Sequence, residues 1–249
     1  MTKLSVNINK VALLRNSRGR NFPDVTAFAA RCLDLGAHGI TLHPRPDQRH
    51  ARYSDVTELK ALCDQRGAEL NVEGYPTPEF LAVVLAARPA QCTLVPDQPG
   101  QLTSDHGWSL REQASFLRDT IRRLREARIR VSLFVDYDNP MIAEAHALGA
   151  HRVELYTEPY AAQFGATDQA AVLEGFRLAA ARAQAACLGV NAGHDLNLQN
   201  LPQFLTIPHI LEVSIGHALI VECLELGVEE VIRRYAAIVS ARHSVLTSP

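Results

Sequence analysis

Short apolar or β-branched runs recur eight times along this chain, at residues 3–8, 39–43, 69–73, 92–96, 130–136, 152–156, 188–191 and 211–215. Segments with helical periodicity lie between them. The clearest is 109–127, where Leu110, Ala114, Leu117, Ile121 and Leu124 recur at spacings of three and four, the stripe of an amphipathic helix. Helix starts are marked by Thr77-Pro78 and Asn139-Pro140, each a side-chain oxygen at the N-cap followed by proline at the first helical position. Gly36, Gly67, Gly149 and Gly227 mark helix ends. Strands without strict alternation, each followed by a helix, suit a parallel sheet covered by helices. Eight such units in 249 residues have the size and rhythm of an α/β (β/α)8 TIM barrel. A doubly wound open sheet is the rival, but no G-x-G-x-x-G follows the first run and no P-loop motif occurs. No Gly/Ser/Pro-rich linker divides the chain, so residues 1–249 are expected to form a single domain.

Composition narrows the function. With 47% hydrophobic and 21% charged residues and a formal net charge of −2, the chain has the balance of a globular protein and lacks the basic excess of a duplex nucleic-acid binder. Its longest uninterrupted apolar run, 80–87, is far short of the roughly 18 residues a membrane-spanning helix requires. The start of the chain has no apolar secretory core, so a cytoplasmic protein is expected, with neither nucleic acid nor membrane as partner. The five cysteines, Cys32, Cys63, Cys92, Cys187 and Cys223, are widely spaced among apolar neighbours and read as reduced core residues. Arginine clusters at Arg15, Arg18 and Arg20 and at Arg45 and Arg49 have solvated loops as their plain reading.

In a (β/α)8 barrel the active site lies at the C-terminal strand ends, and here those ends are rich in ionisable groups. Run one ends Asn7-Ile8-Asn9-Lys10, run two His43-Pro44-Arg45 and run three Glu73-Gly74; run six carries Glu154, run seven ends Asn191-Ala192-Gly193-His194, and run eight Gly216-His217. Each of these could be a satisfied structural residue. Three histidines and two glutamates sharing one rim favour a site, because buried ionisable groups are costly without partners or purpose. Neither H-x-H nor H-E-x-x-H is present, and Arg45 beside His43 would repel a divalent ion, so no metal is expected. Lys10 would serve as a Schiff-base nucleophile if desolvated, or otherwise as a phosphate or carboxylate partner. Gly216-His217 opens into the helical pattern of 219–226, which offers backbone N–H groups to an anion. Arg18, Arg45 and Arg49 would add contacts to it. The irregular stretch 98–108 is the candidate lid.

The ordered set Val6-Asn7-Ile8-Asn9, Leu14-Arg15-Asn16-Ser17-Arg18-Gly19, Gly39-Ile40-Thr41-Leu42-His43-Pro44-Arg45, Leu94-Val95-Pro96, Val190-Asn191-Ala192-Gly193-His194 and Ile215-Gly216-His217-Ala218 closely resembles the pyridoxine 5′-phosphate synthase family, nearly end to end. The resemblance implies a barrel enzyme of vitamin B6 synthesis that condenses 1-deoxy-D-xylulose 5-phosphate with 3-amino-2-oxopropyl phosphate. It implies acid–base roles for His43, Glu73 and His194, and transition-state support from Glu154. Asn7, Arg18, Gly216 and His217 match positions that hold the aminoketone phosphate, while Arg45, His50 and Thr103 match those that hold the sugar phosphate. It further implies no metal or organic cofactor, and self-association into a homo-octamer. The chain departs from the better-known pattern at Asn9-Lys10, where that pattern has Asp-His, and at Asp195, where it has glycine. Lys10 would keep a binding role, whereas the Asp195 carboxylate must turn from a phosphate or repel it. Two other readings stand beside this one: a catalytically silent barrel that binds a B6-related phosphate, and a Schiff-base lyase using Lys10.

Overall fold

The computed structural model describes residues 1–97 and 104–241. The chain runs β1 (Lys3–Asn7), α1 (Asn9–Asn16), α2 (Val25–Asp34), β2 (Gly39–Leu42), α3 (Tyr53–Arg66), β3 (Glu69–Gly74), α4 (Pro78–Ala87) and β4 (Gln91–Leu94). It continues with α5 (Ala114–Glu126), β5 (Arg130–Val135), α6 (Glu144–Ala147), β6 (Arg152–Tyr156), α7 (Glu158–Gln163) and α8 (Gln169–Ala185). The remainder is β7 (Gly189–Gly193), α9 (Leu201–Phe204), β8 (Ile210–Ile215), α10 (His217–Leu226) and α11 (Val228–Ala241). The strands form a closed barrel in the order β1 to β8, every neighbouring pair parallel, with β1 joined to β8 through Leu4 opposite Val213. All eight runs read from the sequence are strands of a (β/α)8 barrel.

The strands do alternate, contrary to the sequence reading, but in chemistry rather than in burial. Leu4 and Val6, Ile40 and Leu42, and Leu70 and Val72 belong to the apolar core, whereas the residues between them, Ser5, Thr41 and Asn71, are buried and polar. Thr93 on β4 donates to Glu154 on β6 (3.4 Å), and Gln91 on β4 donates to Glu212 on β8 (3.2 Å). Strands that are not neighbours can meet this way only through the barrel interior. The interior is thus a hydrogen-bonded polar column, Ser5–Thr41–Asn71–Thr93–Glu154, and the hydrophobic core is the layer between strands and helices. The members of this column are tolerated because they satisfy one another, whereas the buried Ser132 hydroxyl on β5 has no hydrogen-bond partner among the described residues.

Local signals hold at several element ends. The Thr77 hydroxyl accepts from Phe80 N (3.1 Å) with Pro78 at the first position of α4, and Gly67 closes α3 in the left-handed conformation. Two expectations need correction. Asn139-Pro140 does not open a helix: Asn139 Oδ1 accepts from Met141 N (2.8 Å) in a turn, its amide donates to Trp108 O (3.2 Å), and α6 begins only at Glu144. Helix α5 starts at Ala114 rather than 109, because Trp108 and Leu110 are buried and hold the preceding segment to the barrel. Cys32, Cys63 and Cys92 are buried, but Cys187 is exposed at the turn ending α8, and Cys223 is half-buried on α10; all are free thiols. Arg15 is not in a solvated loop: buried on α1, it makes two bonds to Asp55 of α3, at 2.6 and 2.9 Å. Among the described residues no helix is long and apolar enough to cross a membrane.

Candidate active site

The C-terminal strand ends surround a cavity of about 1250 Å3. His43, Glu73 and His194, from the ends of β2, β3 and β7, line it with Glu154 from the middle of β6, together with Asn7, Asn9, Lys10, Arg45, His50, Asp195, Gly216 and His217. Two predicted positions are not among them. Arg18 lies exposed in the turn after α1 and does not line the cavity. Thr103 falls outside the described residues, as does the 98–103 part of the candidate lid. The rest of that segment is anchored: Trp108 Nε1 donates to Leu94 O (2.8 Å), Trp108 N to Phe134 O (3.0 Å) and Gly107 N to Asp136 Oδ2 (3.0 Å). A Cβ on Gly107 would lie 2.5 Å from the Asp136 nitrogen and the Val135 Cα, so only glycine permits this approach.

Asn7 at the end of β1 and Asn9 at the start of α1 organise the basic side. Asn7 Oδ1 accepts from Asn9 N (3.0 Å), Asn9 Oδ1 accepts from His43 N (2.9 Å), and Asn7 Nδ2 donates to Glu73 Oε2 (3.4 Å). An aspartate at position 9 would accept the same N–H, so the Asn9 departure preserves this link. Arg45 is buried and ion-paired with Asp97, to which Ser104 also donates (2.6 Å). His50 Nδ1 accepts from Ala51 N (2.8 Å), which places the proton of its neutral ring on Nε2. Lys10 is exposed at the mouth, so the burial that activates a Schiff-base lysine is missing. Gly216 is the N-cap of α10, and no side chain caps that end. A Cβ there would come within 3.1 Å of the Asn7 side chain.

Burial separates the ionisable groups into two kinds. Burial, reinforced by the charge of Arg45 and by His50 and His194, holds His43 well below the ordinary imidazole value. His194 is also lowered by burial, against the opposing pull of Asp195 and Asp97. His50 is brought down to about 4 by burial and by Arg45 and Arg49. The carboxyls go the other way: burial and the neighbouring Glu154 and Asp97 push Glu73 well up, and burial with Glu212 raises Glu154 to about 8. Near neutral pH the cavity therefore sets neutral imidazoles, able to accept protons, beside a protonated Glu154, able to donate one, and a Glu73 whose affinity for a proton is raised.

His194 has φ 85° and Asp195 φ 56°, and the His194 ring packs on Tyr156 (centroids 5.2 Å) and Phe134 (5.7 Å). A Cβ on Gly193 would lie 2.5 Å from Glu154 Oε1, so that glycine makes room for the carboxylate. The sequence reading did not single out Asp97, Ser104, Asp136 or Tyr156 as site residues. The rule that found His43, apart from Ser104, would have found them too, since each stands at or just beyond the end of a strand. Among the described residues, no group of three or more His, Cys, Asp or Glu side chains is arranged to hold a metal ion.

Fold and cavity define a (β/α)8-barrel protein with opposed acid and base groups beside cationic side chains at its strand ends. Comparison with known proteins identifies the family. The family model described as "Pyridoxal phosphate biosynthesis protein PdxJ" matches residues 4–241. The pyridoxine 5′-phosphate synthase of Xanthomonas axonopodis pv. citri is 51% identical over 250 residues, covering 97% of this chain and 98% of that one. The one from Agrobacterium fabrum is 49% identical over 248 residues, covering 97% and 99%. Among solved structures, thiamine phosphate pyrophosphorylase from Pyrococcus furiosus superposes with a TM-score of 0.63 at 17% identity, covering 96% of each chain. That likeness concerns the fold alone. The chain belongs to the PdxJ family of pyridoxal phosphate biosynthesis proteins and is an enzyme of that family.

Proposed function

We propose that this enzyme condenses 1-deoxy-D-xylulose 5-phosphate with 3-amino-2-oxopropyl phosphate to pyridoxine 5′-phosphate, inorganic phosphate and water, with His43, Glu73 and His194 moving the protons and Glu154 supporting the transition state. The carrying observation is the opposed titration of two imidazoles and two carboxyls within one cavity. Imine formation, dehydration, phosphate elimination and ring closure each need a proton given or taken, and such a set supplies both directions near neutral pH. Arg45, His50 and the backbone at Gly216 and His217 are suited to the two phosphates. Holding both substrates in one cavity adds the advantage of proximity.

The test is a chelator-treated assay with both phosphorylated substrates, following the pyridoxine 5′-phosphate chromophore and released phosphate together. Equal amounts of the two are expected, with His43→Asn and Glu73→Gln each slowing turnover by about 10² to 10⁴. Full turnover in either variant would overturn its assigned role. We further propose a cytoplasmic homo-octamer. Exposed Leu14, Phe22 and Leu224 support self-association, and native mass measurement reads the copy number.

A further inference from the structure

His194 and Asp195 are consecutive non-glycine residues with φ of 85° and 56°. Such backbone persists at residues bearing a Cβ only where the surroundings over-determine it. The chief fastening here is Thr157, which is fully buried directly after the last residue of β6. Its N–H donates to Gly193 O (3.0 Å), and the single proton of its hydroxyl is shared between Gly193 O (2.7 Å) and His194 O. Asn200 Nδ2 takes the next carbonyl, that of Asp195, at 3.1 Å.

Thr157 is also the N-cap of α7, where threonine ordinarily turns its side-chain oxygen to an N–H of the first turn. No such cap bond is present. The hydroxyl is directed instead to the end of β7, toward the backbone from which the His194 ring projects. The residue before it, Tyr156, supplies one of the two aromatic walls against that ring. One dipeptide at the end of β6 thus fixes both the backbone and the ring plane of His194.

We infer that Thr157 is a positioning residue for His194: its hydroxyl latches the left-handed turn that aims the imidazole into the cavity. The inference rests on the reading of His194 as an acid–base group. General acid–base catalysis depends on hydrogen-bond reach, and a displacement of about 1 Å can cost on the order of 10²-fold in rate. Substrate contacts away from His194 are untouched, so the loss belongs in kcat and not in KM.

The test compares Thr157→Val, which keeps the shape and removes the hydroxyl, with Thr157→Ser, which keeps the hydroxyl. Steady-state kinetics with both phosphorylated substrates are run across pH. Thr157→Val is expected to lower kcat by about 10- to 100-fold with KM little changed. Its acid limb should move up in pH, because a loosened turn relieves the burial that lowers the His194 imidazole. Thr157→Ser should restore most of kcat and the parent limb. A parent-like kcat and limb in Thr157→Val would overturn the inference, as would a Ser variant as impaired as the Val. Should the Val variant fail to fold, Thr157→Cys offers a weak S–H donor and is expected to fall below Thr157→Ser in kcat; parity between them overturns the latch. His194→Asn is measured alongside. Full turnover there removes the acid–base reading and the inference together, whereas an inactive His194→Asn beside an unaffected Thr157→Val removes the inference alone.

Discussion

Glu154 shows at single-residue scale how the site bears on stability. Its carboxyl, 2% exposed, titrates at about 8 in the folded protein, against 4.5 for a freely solvated glutamate. Between those two values the folded state binds more protons than the unfolded state, so stability falls as pH rises through that window. The stabilising contribution is complete below about 4.5 and gone above about 8. Glu154→Gln keeps the shape and removes the titration, so its melting temperature should decline less than the parent's from acid to mildly alkaline pH. Parallel curves for the two proteins would show that Glu154 is not the group responsible. Glu69 has the opposite sign. Burial works against it, but Arg130 and Lys3 hold it down to about 2, and its contribution is lost only as pH falls from the ordinary carboxylate range toward that value.

Between elements, the pair of Arg15 on α1 and Asp55 on α3 does what the sequence did not disclose. Asp55 Oδ2 also accepts from Arg52 N (2.7 Å) at the start of α3, so one carboxylate joins two helices and fastens a helix end. Asp55→Ala leaves Arg15 buried without its counter-charge and should cost about 3–5 kcal/mol, read from the denaturation midpoint at unchanged slope. A cost under about 1 kcal/mol, the range of an exposed pair, would mean that Arg15 finds solvent. The sequence showed Arg15 only as one of three nearby arginines, because an ion pair across 40 positions leaves no periodic trace. The strands were legible because eight short apolar or β-branched runs recur between helical segments, and the places of His43, Glu73 and His194 along the cavity were legible because a barrel exposes its strand ends. The polar column was not. In runs of four to six residues, Ser5, Thr41, Asn71 and Thr93 read as interruptions of an apolar pattern, and only closure of the barrel turns them toward each other. Arg18 lies off the cavity lining for the converse reason: a motif fixes a position in the chain, but not the direction in which a turn sends its side chain.

At the scale of the whole molecule, the barrel keeps its oily matter in the layer between strands and helices and leaves its axis hydrophilic. Unfolding therefore wets two unlike surfaces at once. Newly wetted apolar area raises the heat capacity by about 0.45 cal/K/mol per Å2, while polar area lowers it by about 0.26. The axial residues Gln91, Thr93, Asn191 and Glu212, all buried, subtract where an aliphatic axis would add. The heat-capacity increment of unfolding should accordingly sit at or below the lower end of the usual range of about 12–15 cal/mol/K per residue. Calorimetric enthalpies collected over a series of pH values measure it, and a result above that range would contradict the expectation. A smaller increment flattens the dependence of stability on temperature, so the hydrogen-bonded axis that carries Glu154 toward the cavity also broadens the span of temperatures over which this barrel stays folded.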